Sequence, residues 1–368
     1  MILQADPGRS YFVMKEKIDS AVKRVLESAW YVLGKENSAF EKSFAQYVGS
    51  NYCLGVANGT DAVEIILRAL NIGNGDMVAT VGNTAVATVA AIERTGAQVR
   101  FADIEPHKFT MSASSLNDLL AKEKNIKAVI VVHLFGCPAE MKEICEAAAK
   151  YNIPVIEDCA QAHGAEYNGR KCGTIGIAGS FSFYPTKNLG AFGDGGAVVT
   201  DNRELFEKMT ALRQYGWKKR YISEFTGINS RLDEMQAAVL SVKLPYLDEN
   251  NQKRRSIAAQ YRSALKDLSD IELPVEPETA FHVYHQFVLR VKNNRREALA
   301  DCLKKNDILT AIHYPLAIPR QPGYQEIPLT VSLTETFETN QEILSLPMYP
   351  ELTEREIRTI TDAIRDFL

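Results

Sequence analysis

Residues 179–197 read Gly179-Ser-Phe-Ser-Phe-Tyr-Pro-Thr-Lys-Asn-Leu-Gly-Ala-Phe-Gly-Asp-Gly-Gly-Ala197. Residues 179–184 are a strand-like run, and Lys187 follows it just before a glycine-rich turn that permits close backbone contact. A lysine beside a turn is usually solvent-exposed. The rigid flanks of this one instead predict an amine held in place for chemistry at the end of a strand.

Short apolar runs alternate with helical patterns on the amino-terminal side of this stretch. The predicted strands cover residues 53–57, 77–81, 98–102, 128–133, 153–157 and 179–183. The predicted helices between them cover residues 62–70, 85–95, 112–123 and 139–150. This rhythm predicts an α/β fold with a mainly parallel central sheet, whose ligand sites lie beyond the carboxyl ends of the strands.

The two ends of the chain differ from this alternating middle. Residues 6–45 have a helical pattern, and a long helical pattern over 233–268 is interrupted by Pro245. A strand over 283–291 and helices over 295–306 and 353–367 follow. We therefore predict a large domain over residues 1–245, which includes the amino-terminal helices, and a smaller carboxy-terminal α+β domain over residues 246–368.

Composition favours a small-molecule partner. The 368 residues are 46% hydrophobic, and 42 Lys and Arg face 46 Asp and Glu for a formal charge of −4, so no broad basic surface is available for nucleic acid. The longest apolar run is too short to cross a membrane, and no basic segment precedes an apolar stretch at the amino terminus. The six cysteines show no Cys-x-x-Cys spacing. We expect a soluble cytoplasmic protein with no membrane or nucleic-acid partner.

An aspartate precedes Lys187 at the end of another predicted strand. Asp158 closes the run Ile153-Pro-Val-Ile-Glu-Asp158, with Gln161 three positions further on. Pyridoxal phosphate needs an amine for a Schiff base and a carboxylate that keeps its pyridine nitrogen protonated. Many carboxylates at strand ends merely cap loops. The pair nevertheless predicts pyridoxal 5'-phosphate as the cofactor, with Lys187 and Asp158 as the catalytic residues.

A phosphate site is predicted where a strand meets a helix. Asn58-Gly-Thr-Asp-Ala62 offers flexible glycine and free backbone amides at a helix start. Read alone, the segment is equally typical of a simple helix cap supplied by Thr60 or Asp61.

A metal site is not expected. His282 and His285 lie in a β-rich run, where a spacing of three places two side chains on opposite faces of the strand.

Five motifs stand in fixed order along the chain: Asn58-Gly-Thr-Asp-Ala62, His133-Leu-Phe-Gly136, Glu157-Asp-Cys-Ala-Gln-Ala-His-Gly164, Ser180-Phe-Ser-Phe-Tyr-Pro-Thr-Lys187 and Gly227-Ile-Asn-Ser-Arg-Leu-Asp-Glu-Met-Gln-Ala-Ala238. Together they resemble the DegT/DnrJ/EryC1/StrS sugar aminotransferases over nearly the whole chain. The resemblance implies the fold-type-I architecture of the aspartate aminotransferase superfamily. It also implies a homodimer whose active sites lie between the subunits.

The same resemblance implies roles for the residues around the cofactor ring. Lys187 would form the Schiff base, Asp158 would hold the pyridine nitrogen, and Gln161 would lie near the phenolic oxygen. Relatives often carry an aromatic residue after the threonine that corresponds to Thr84, where it packs on the ring. This chain has Ala85 there, so the stacking contact is open: Val86 or Thr88 could fill the space with less contact area, and His163 could contribute from the opposite side.

The phosphate of the cofactor would be held by residues from both subunits. The resemblance assigns it to Gly59, Thr60 and Ser182 of one subunit and to Asn229 of the other. Composition alone would favour Asn229 as part of a polar turn.

The sugar site is implied by fewer residues. Tyr184-Pro-Thr-Lys187 resembles the branch acting on 3-keto sugars more than the His-Pro-x-Lys form common among 4-keto enzymes. Lys219, Tyr221 and His313 are further candidate substrate contacts, although solvated loops and core packing explain such residues equally well.

The implied reaction passes an amine from L-glutamate, through the cofactor, to a nucleotide-linked keto sugar. The expected acceptor is a dTDP-3-keto-6-deoxyhexose and the product a dTDP-3-amino-3,6-dideoxyhexose. Transamination at C4 of a 4-keto sugar nucleotide and a non-catalytic pyridoxal-phosphate-binding protein are the alternatives. The sugar 3-dehydratase branch carries histidine in place of the lysine, whereas Lys187 is present here.

Overall fold

The computed structural model describes residues 1–368. Its strands are β1 Tyr52–Val56, β2 Met77–Val81, β3 Gln98–Ala102, β4 Ile126–Val132, β5 Val155–Asp158, β6 Glu166–Tyr167, β7 Arg170–Lys171, β8 Ala178–Ser182, β9 Gly196–Thr200, β10 Trp217–Lys219, β11 Ile222–Ser223, β12 Ile271–Glu272, β13 Ala280–Phe281, β14 Phe287–Val291 and β15 Ile343–Leu346. Its helices are α1 Pro7–Val13, α2 Lys15–Ser28, α3 Lys35–Val48, α4 Gly59–Ala69, α5 Val86–Arg94, α6 Ala113–Lys122, α7 Met141–Ala149, α8 Arg203–Leu212, α9 Glu234–Lys243, α10 Leu247–Leu265, α11 Arg296–Lys305, α12 Thr334–Glu342 and α13 Glu354–Phe367. No helix is both long and apolar enough to cross a bilayer.

A seven-stranded sheet forms the centre of the molecule, in the order β1-β9-β8-β5-β4-β2-β3. Strand β9 runs antiparallel to both of its neighbours, and the remaining pairs are parallel. Side chains alternate along each strand: Ile130 joins the apolar cluster of α4 and α5, whereas Val129 and Val131 join that of α6 and α7. Helices therefore cover both faces, and the predicted α/β fold with a mainly parallel sheet is confirmed.

The carboxy-terminal part of the chain builds a second, three-stranded sheet in the order β12-β14-β15. It packs with α10, α11 and α13 around a separate apolar cluster, which Ile2 joins through its pairing with Ile308. The long predicted helix is divided by a 3₁₀ turn, Leu244–Tyr246, into α9 and α10. A domain boundary at residue 245 remains a prediction, and the amino-terminal residue Ile2 lies with the smaller of the two proposed parts.

The predicted strand over 283–291 was wrong in its first half. Only Phe287–Val291 forms β14, since Tyr284 has a φ of 43° that breaks the extended backbone. His282 and His285 thus lie in a loop and not on two faces of one strand. His282 stacks on Tyr284, and His285 Nδ1 lies 3.1 Å from Asn188 Oδ1.

Candidate active site

A cavity of about 250 Å³ lies at the carboxyl ends of β4, β5 and β8, against the first turns of α4 and α5. Parallel strand ends meet helix starts at this edge of the sheet, where ligands of such folds bind. Seven of the residues singled out from the sequence line the cavity: Gly59, Thr60, Asp158, Gln161, Ser182, Tyr184 and Lys187. The structure thus collects, from distant parts of the chain, the groups that pyridoxal phosphate requires.

Asp158 is the last residue of β5 and is only 7% exposed. Its Oδ2 accepts a hydrogen bond from Thr88 Oγ1 at 2.8 Å, and its Oδ1 accepts one from the Ala160 amide at 3.1 Å. The Thr88 hydroxyl lies in turn 3.2 Å from Thr84 Oγ1. These contacts fix the orientation of the carboxylate at the base of the cavity.

Lys187 follows β8 in a tight turn closed by its own amide, which donates to the Tyr184 carbonyl at 2.8 Å. Burial lowers the pKa of its amine to about 8, and the negative charge of Asp158 opposes that shift. At pH 7 roughly a tenth of the amine is therefore free of its proton, far more than for an ordinary lysine. That is the state needed to attack an aldehyde.

Gln161 is held at both ends of its side-chain amide. Its Oε1 accepts a hydrogen bond from the Phe135 amide at 2.6 Å, and its Nε2 donates to the Tyr314 hydroxyl at 3.3 Å. Burial, together with the charge of Asp158, raises the pKa of Tyr314 to about 12, so this phenol stays protonated. Sequence reasoning singled out the neighbouring His313 and missed Tyr314.

The start of α4 forms a cradle next to β8. Asn58 caps the helix, since its Oδ1 accepts a hydrogen bond from the Asp61 amide at 2.8 Å. The alternative interpretation, a cap supplied by Thr60 or Asp61, named the wrong residues. A Cβ at Gly59 would meet the Ser182 Cβ at 2.8 Å, closer than side chains allow. Only glycine lets the free amides of this helix start lie against Ser182, and such amides bind phosphate.

Four candidate residues lie outside the cavity. Asn229 is exposed and forms an isolated bridge with Gln214. Lys219 and Tyr221 belong to the exposed hairpin formed by β10 and β11, where Tyr221 is 72% exposed. His313 is half-buried with its Nδ1 2.9 Å from Ser345 Oγ, and burial and the charge of Lys187 lower its pKa to about 4.

The structure also shows which side chains near Ala85 reach the cavity and could contact the cofactor ring. Ala85 lines the cavity, and so does Thr88, whereas Val86 does not. His163 is fully buried between Phe181 and Phe183 and does not reach the cavity. No aromatic side chain stands at Ala85, so the lining there is small and apolar.

Glu157 and His133 form a fully buried hydrogen-bonded pair at this edge of the sheet. His133 Nδ1 accepts the Ala139 amide at 3.1 Å, which leaves the proton on Nε2 to be donated to Glu157 at 3.0 Å. The carboxylate also accepts three backbone amides, from Gly173, Ile175 and Gly176. Cys159 lies close to both side chains. The lone pairs that a metal ion would need are engaged in these hydrogen bonds.

The residues of the cavity fit the parts of pyridoxal phosphate. Lys187 presents a partly deprotonated amine for the aldehyde, Asp158 an oriented carboxylate for the ring nitrogen, and the start of α4 a cradle for the phosphate. The bound cofactor supplies an electron sink for carbanion chemistry. This fold and this site define a pyridoxal-phosphate-dependent transferase of fold type I.

Comparison with known proteins gives the family. The sequence pattern of the DegT/DnrJ/EryC1/StrS aminotransferase family matches residues 13–365, and the chain belongs to that family. The chain is 44% identical to dTDP-3-amino-3,6-dideoxy-alpha-D-galactopyranose transaminase of Aneurinibacillus thermoaerophilus, over 96% of both chains. It is 40% identical to dTDP-3-amino-3,4,6-trideoxy-alpha-D-glucose transaminase of Streptomyces venezuelae, over 98% of this chain and 95% of the relative.

Solved structures agree with this assignment. The crystal structure of S. venezuelae DesV superposes with a TM-score of 0.95 at 39% identity, covering 100% of this chain and 98% of the other. NtdA of Bacillus subtilis, whose structure contains pyridoxamine phosphate, gives a TM-score of 0.88 at 28% identity over 95% and 81% of the two chains. The expected enzyme class and cofactor are therefore confirmed for the family to which the chain belongs.

Proposed function

We propose that this enzyme transfers the amine of L-glutamate to C3 of a dTDP-3-keto-6-deoxyhexose and releases a dTDP-3-amino-3,6-dideoxyhexose. Both relatives above are named for dTDP-linked 3-amino sugars, at 44% and 40% identity over nearly the full chain. The observation that carries the proposal is the single cavity in which Lys187, Asp158 and the α4 cradle meet.

The residues of the cavity have distinct tasks. The Lys187 amine binds the cofactor and, once released, moves a proton to and from the substrate carbon during each half of the reaction. Asp158, oriented by Thr88, would keep the ring nitrogen protonated, and Gln161 would lie near the phenolic oxygen. Gly59, Thr60 and Ser182 hold the phosphate.

The sugar nucleotide lies, in this proposal, at the mouth of the cavity. Tyr184 lines the cavity and is 53% exposed, which suits a contact to substrate. His313 lies close enough for its titration to depend on Lys187, and its lowered pKa keeps the imidazole neutral. A neutral imidazole can bond a sugar hydroxyl either as donor or as acceptor.

A homodimer completes the site in this proposal. Asn229, Lys219 and Tyr221 lie away from their own cavity on an exposed surface that also carries Ile222 at 54% exposure. Across a twofold axis they would serve the partner's cavity, with Asn229 on the phosphate and the hairpin on the sugar nucleotide. The six free cysteines suit a reducing compartment, and we place the enzyme in the cytoplasm.

Purified protein with pyridoxal phosphate, L-glutamate and candidate keto sugars tests the activity, with Lys187→Ala as the comparison. The wild-type protein should form an amino sugar, and the variant should form none and lose the covalent absorbance of bound cofactor. A protein that binds the cofactor and forms no amino sugar with any acceptor would be the non-catalytic alternative. Full turnover by the variant would refute the role of Lys187.

A further inference from the structure

A second cavity, of about 50 Å³, lies beneath the start of α1. Lys187 is the one residue that borders both this cavity and the active-site cavity. The other walls come from residues 5–14, from residues 185–190 on both sides of Lys187, from the end of α9, from α10 and from residues 349–351. Four separate parts of the chain therefore meet at this point, and none of the expected site residues apart from Lys187 is among them.

Two buried cations line the second cavity. Lys243 is 8% exposed and Arg254 is 5% exposed. Lys243 Nζ donates to the Gly190 carbonyl at 2.6 Å, and Arg254 donates through one terminal nitrogen to the carbonyls of Tyr284, His285 and Met348. Neither forms an ion pair with a carboxylate, and Arg254 Nε has no hydrogen-bond partner. Buried lysine and arginine side chains are ordinarily paired with an anion.

The nearby carboxylates compensate this charge only in part. Glu351 lines the cavity and favours the charged forms of both cations from a distance, without contacting either. Asp6 also lines it, but its carboxylate pairs with Arg9 at 3.3 Å. Burial still lowers the pKa of Lys243 to about 8 and that of Arg254 to about 10. Lys243 and Arg254 thus line one small space with one distant negative partner, and Lys243 Nζ also lies 4.4 Å from the centroid of the Phe192 ring.

We propose that the second cavity binds one small monovalent anion, a halide or the carboxylate of an acid such as formate, between Lys243 and Arg254. A single water needs about 10–15 Å³ of such space, so a cavity of about 50 Å³ accepts ions of this size. A gluconate ion is too large to enter. The bound anion joins the amino-terminal segment to α9 and α10 and stabilises the folded enzyme by mass action.

The proposal is tested by measuring the midpoint of thermal unfolding of the holoenzyme in sodium bromide, sodium formate and sodium gluconate at equal ionic strength. We expect a saturable rise of a few degrees with bromide or formate over gluconate. A rise with bromide alone identifies a halide site, and a rise with formate identifies a carboxylate site. Equal midpoints in the three salts would overturn the proposal.

Lys243→Met should abolish the anion-dependent rise, because it removes one charge and keeps a side chain of similar length. The matched control is Lys253→Met: Lys253 adjoins Arg254 in the sequence, but its side chain is 51% exposed and pairs with Glu249. The control should retain the rise. If both variants respond like the wild-type protein, the effect is a general salt effect and the site is refuted.

Anomalous diffraction from crystals of the wild-type enzyme grown in bromide gives a readout that needs no variant. A bromide peak within contact distance of Lys243 Nζ and Arg254 supports a halide site even if Lys243→Met fails to fold. The absence of a bromide peak from bromide-grown crystals, together with the absence of formate density from formate-grown crystals, would refute the site.

Discussion

Burial in the site lowers the pKa of the Lys187 amine. With its pKa lowered to about 8 by burial, its amine is largely protonated below that pH and largely free above it. Since only the free amine attacks an aldehyde, the rate at which cofactor-free enzyme binds pyridoxal phosphate covalently should rise with pH and level off above about pH 8. Stopped-flow absorbance measures this rate. A rate that still rises steeply at the pH of an ordinary lysine would contradict the lowered pKa.

The lowered pKa of Lys187 also predicts how the stability of the cofactor-free enzyme depends on pH. In the cofactor-free enzyme the folded pKa of Lys187 lies below its unfolded value of about 10.4, so between about pH 8 and pH 10.4 the unfolded state binds more protons. The contribution of Lys187 to the free energy of unfolding should therefore increase with pH across that window. Denaturant titrations of the wild-type protein and of Lys187→Met, compared at both ends of the window, isolate this contribution.

Thr88 is expected to act through Asp158. Thr88→Val removes the hydroxyl that donates to Asp158 Oδ2 at 2.8 Å, and a hydrogen bond to a charged group contributes about 1.5–3 kcal/mol. We expect the affinity for pyridoxal phosphate to fall by roughly tenfold to a hundredfold, as equilibrium titration by fluorescence would measure. Thr88→Ser keeps the hydroxyl and should stay close to wild type. Equal losses in both variants would indicate a packing effect instead.

Sequence motifs predicted Lys187 and Asp158 as the catalytic pair, with Gln161 nearby, but not the side chains that contact Asp158 and Gln161. Lys187 and Asp158 each follow a predicted strand, where parallel strands direct their functional groups to one edge. Thr88 and Tyr314 reach the site only through folding, across separations of 70 and 153 residues from their partners Asp158 and Gln161. No local pattern records such a contact.

At the scale of elements, the proposed phosphate site depends on the close contact between α4 and β8. Gly59→Ala places a Cβ at 2.8 Å from the Ser182 Cβ and forces the helix start away from the strand. Overpacking of this kind costs about 1–3 kcal/mol, so the affinity for pyridoxal phosphate should fall by roughly tenfold or more. Gly323→Ala is the control, because a Cβ there meets no atom within 4 Å. If the two variants bind the cofactor equally, the cradle is assigned to the wrong residues.

The elements themselves were predicted unevenly, for physical reasons. Residues 77–81 and 98–102 coincide with β2 and β3, because buried parallel strands are short apolar runs with clear limits. Strand β9 was missed, since Gly195 and Gly196 precede only a brief apolar run and the segment was interpreted as a turn. The polar helix α12 and the four-residue β15 were missed too, because neither has a distinctive period.

At the scale of the whole molecule, the proposed sharing of Asn229 predicts complementation. Lys187→Ala and Asn229→Ala should each be inactive or strongly impaired as homodimers. After subunit exchange, mixed dimers would contain one site with neither substitution, so a random mixture should recover about a quarter of wild-type turnover. Steady-state assays before and after exchange measure the recovery. If labelled subunits exchange and turnover does not return, Asn229 belongs to its own subunit's site or to none.

The regiochemistry of amine transfer tests the account most directly. The holoenzyme is incubated with L-glutamate and, separately, with a dTDP-3-keto-6-deoxyhexose and the corresponding 4-keto sugar nucleotide, and the products are identified by NMR. We expect efficient formation of an amino sugar with nitrogen at C3 and little product from the 4-keto acceptor. Nitrogen at C4, or a clear preference for the 4-keto acceptor, would contradict it.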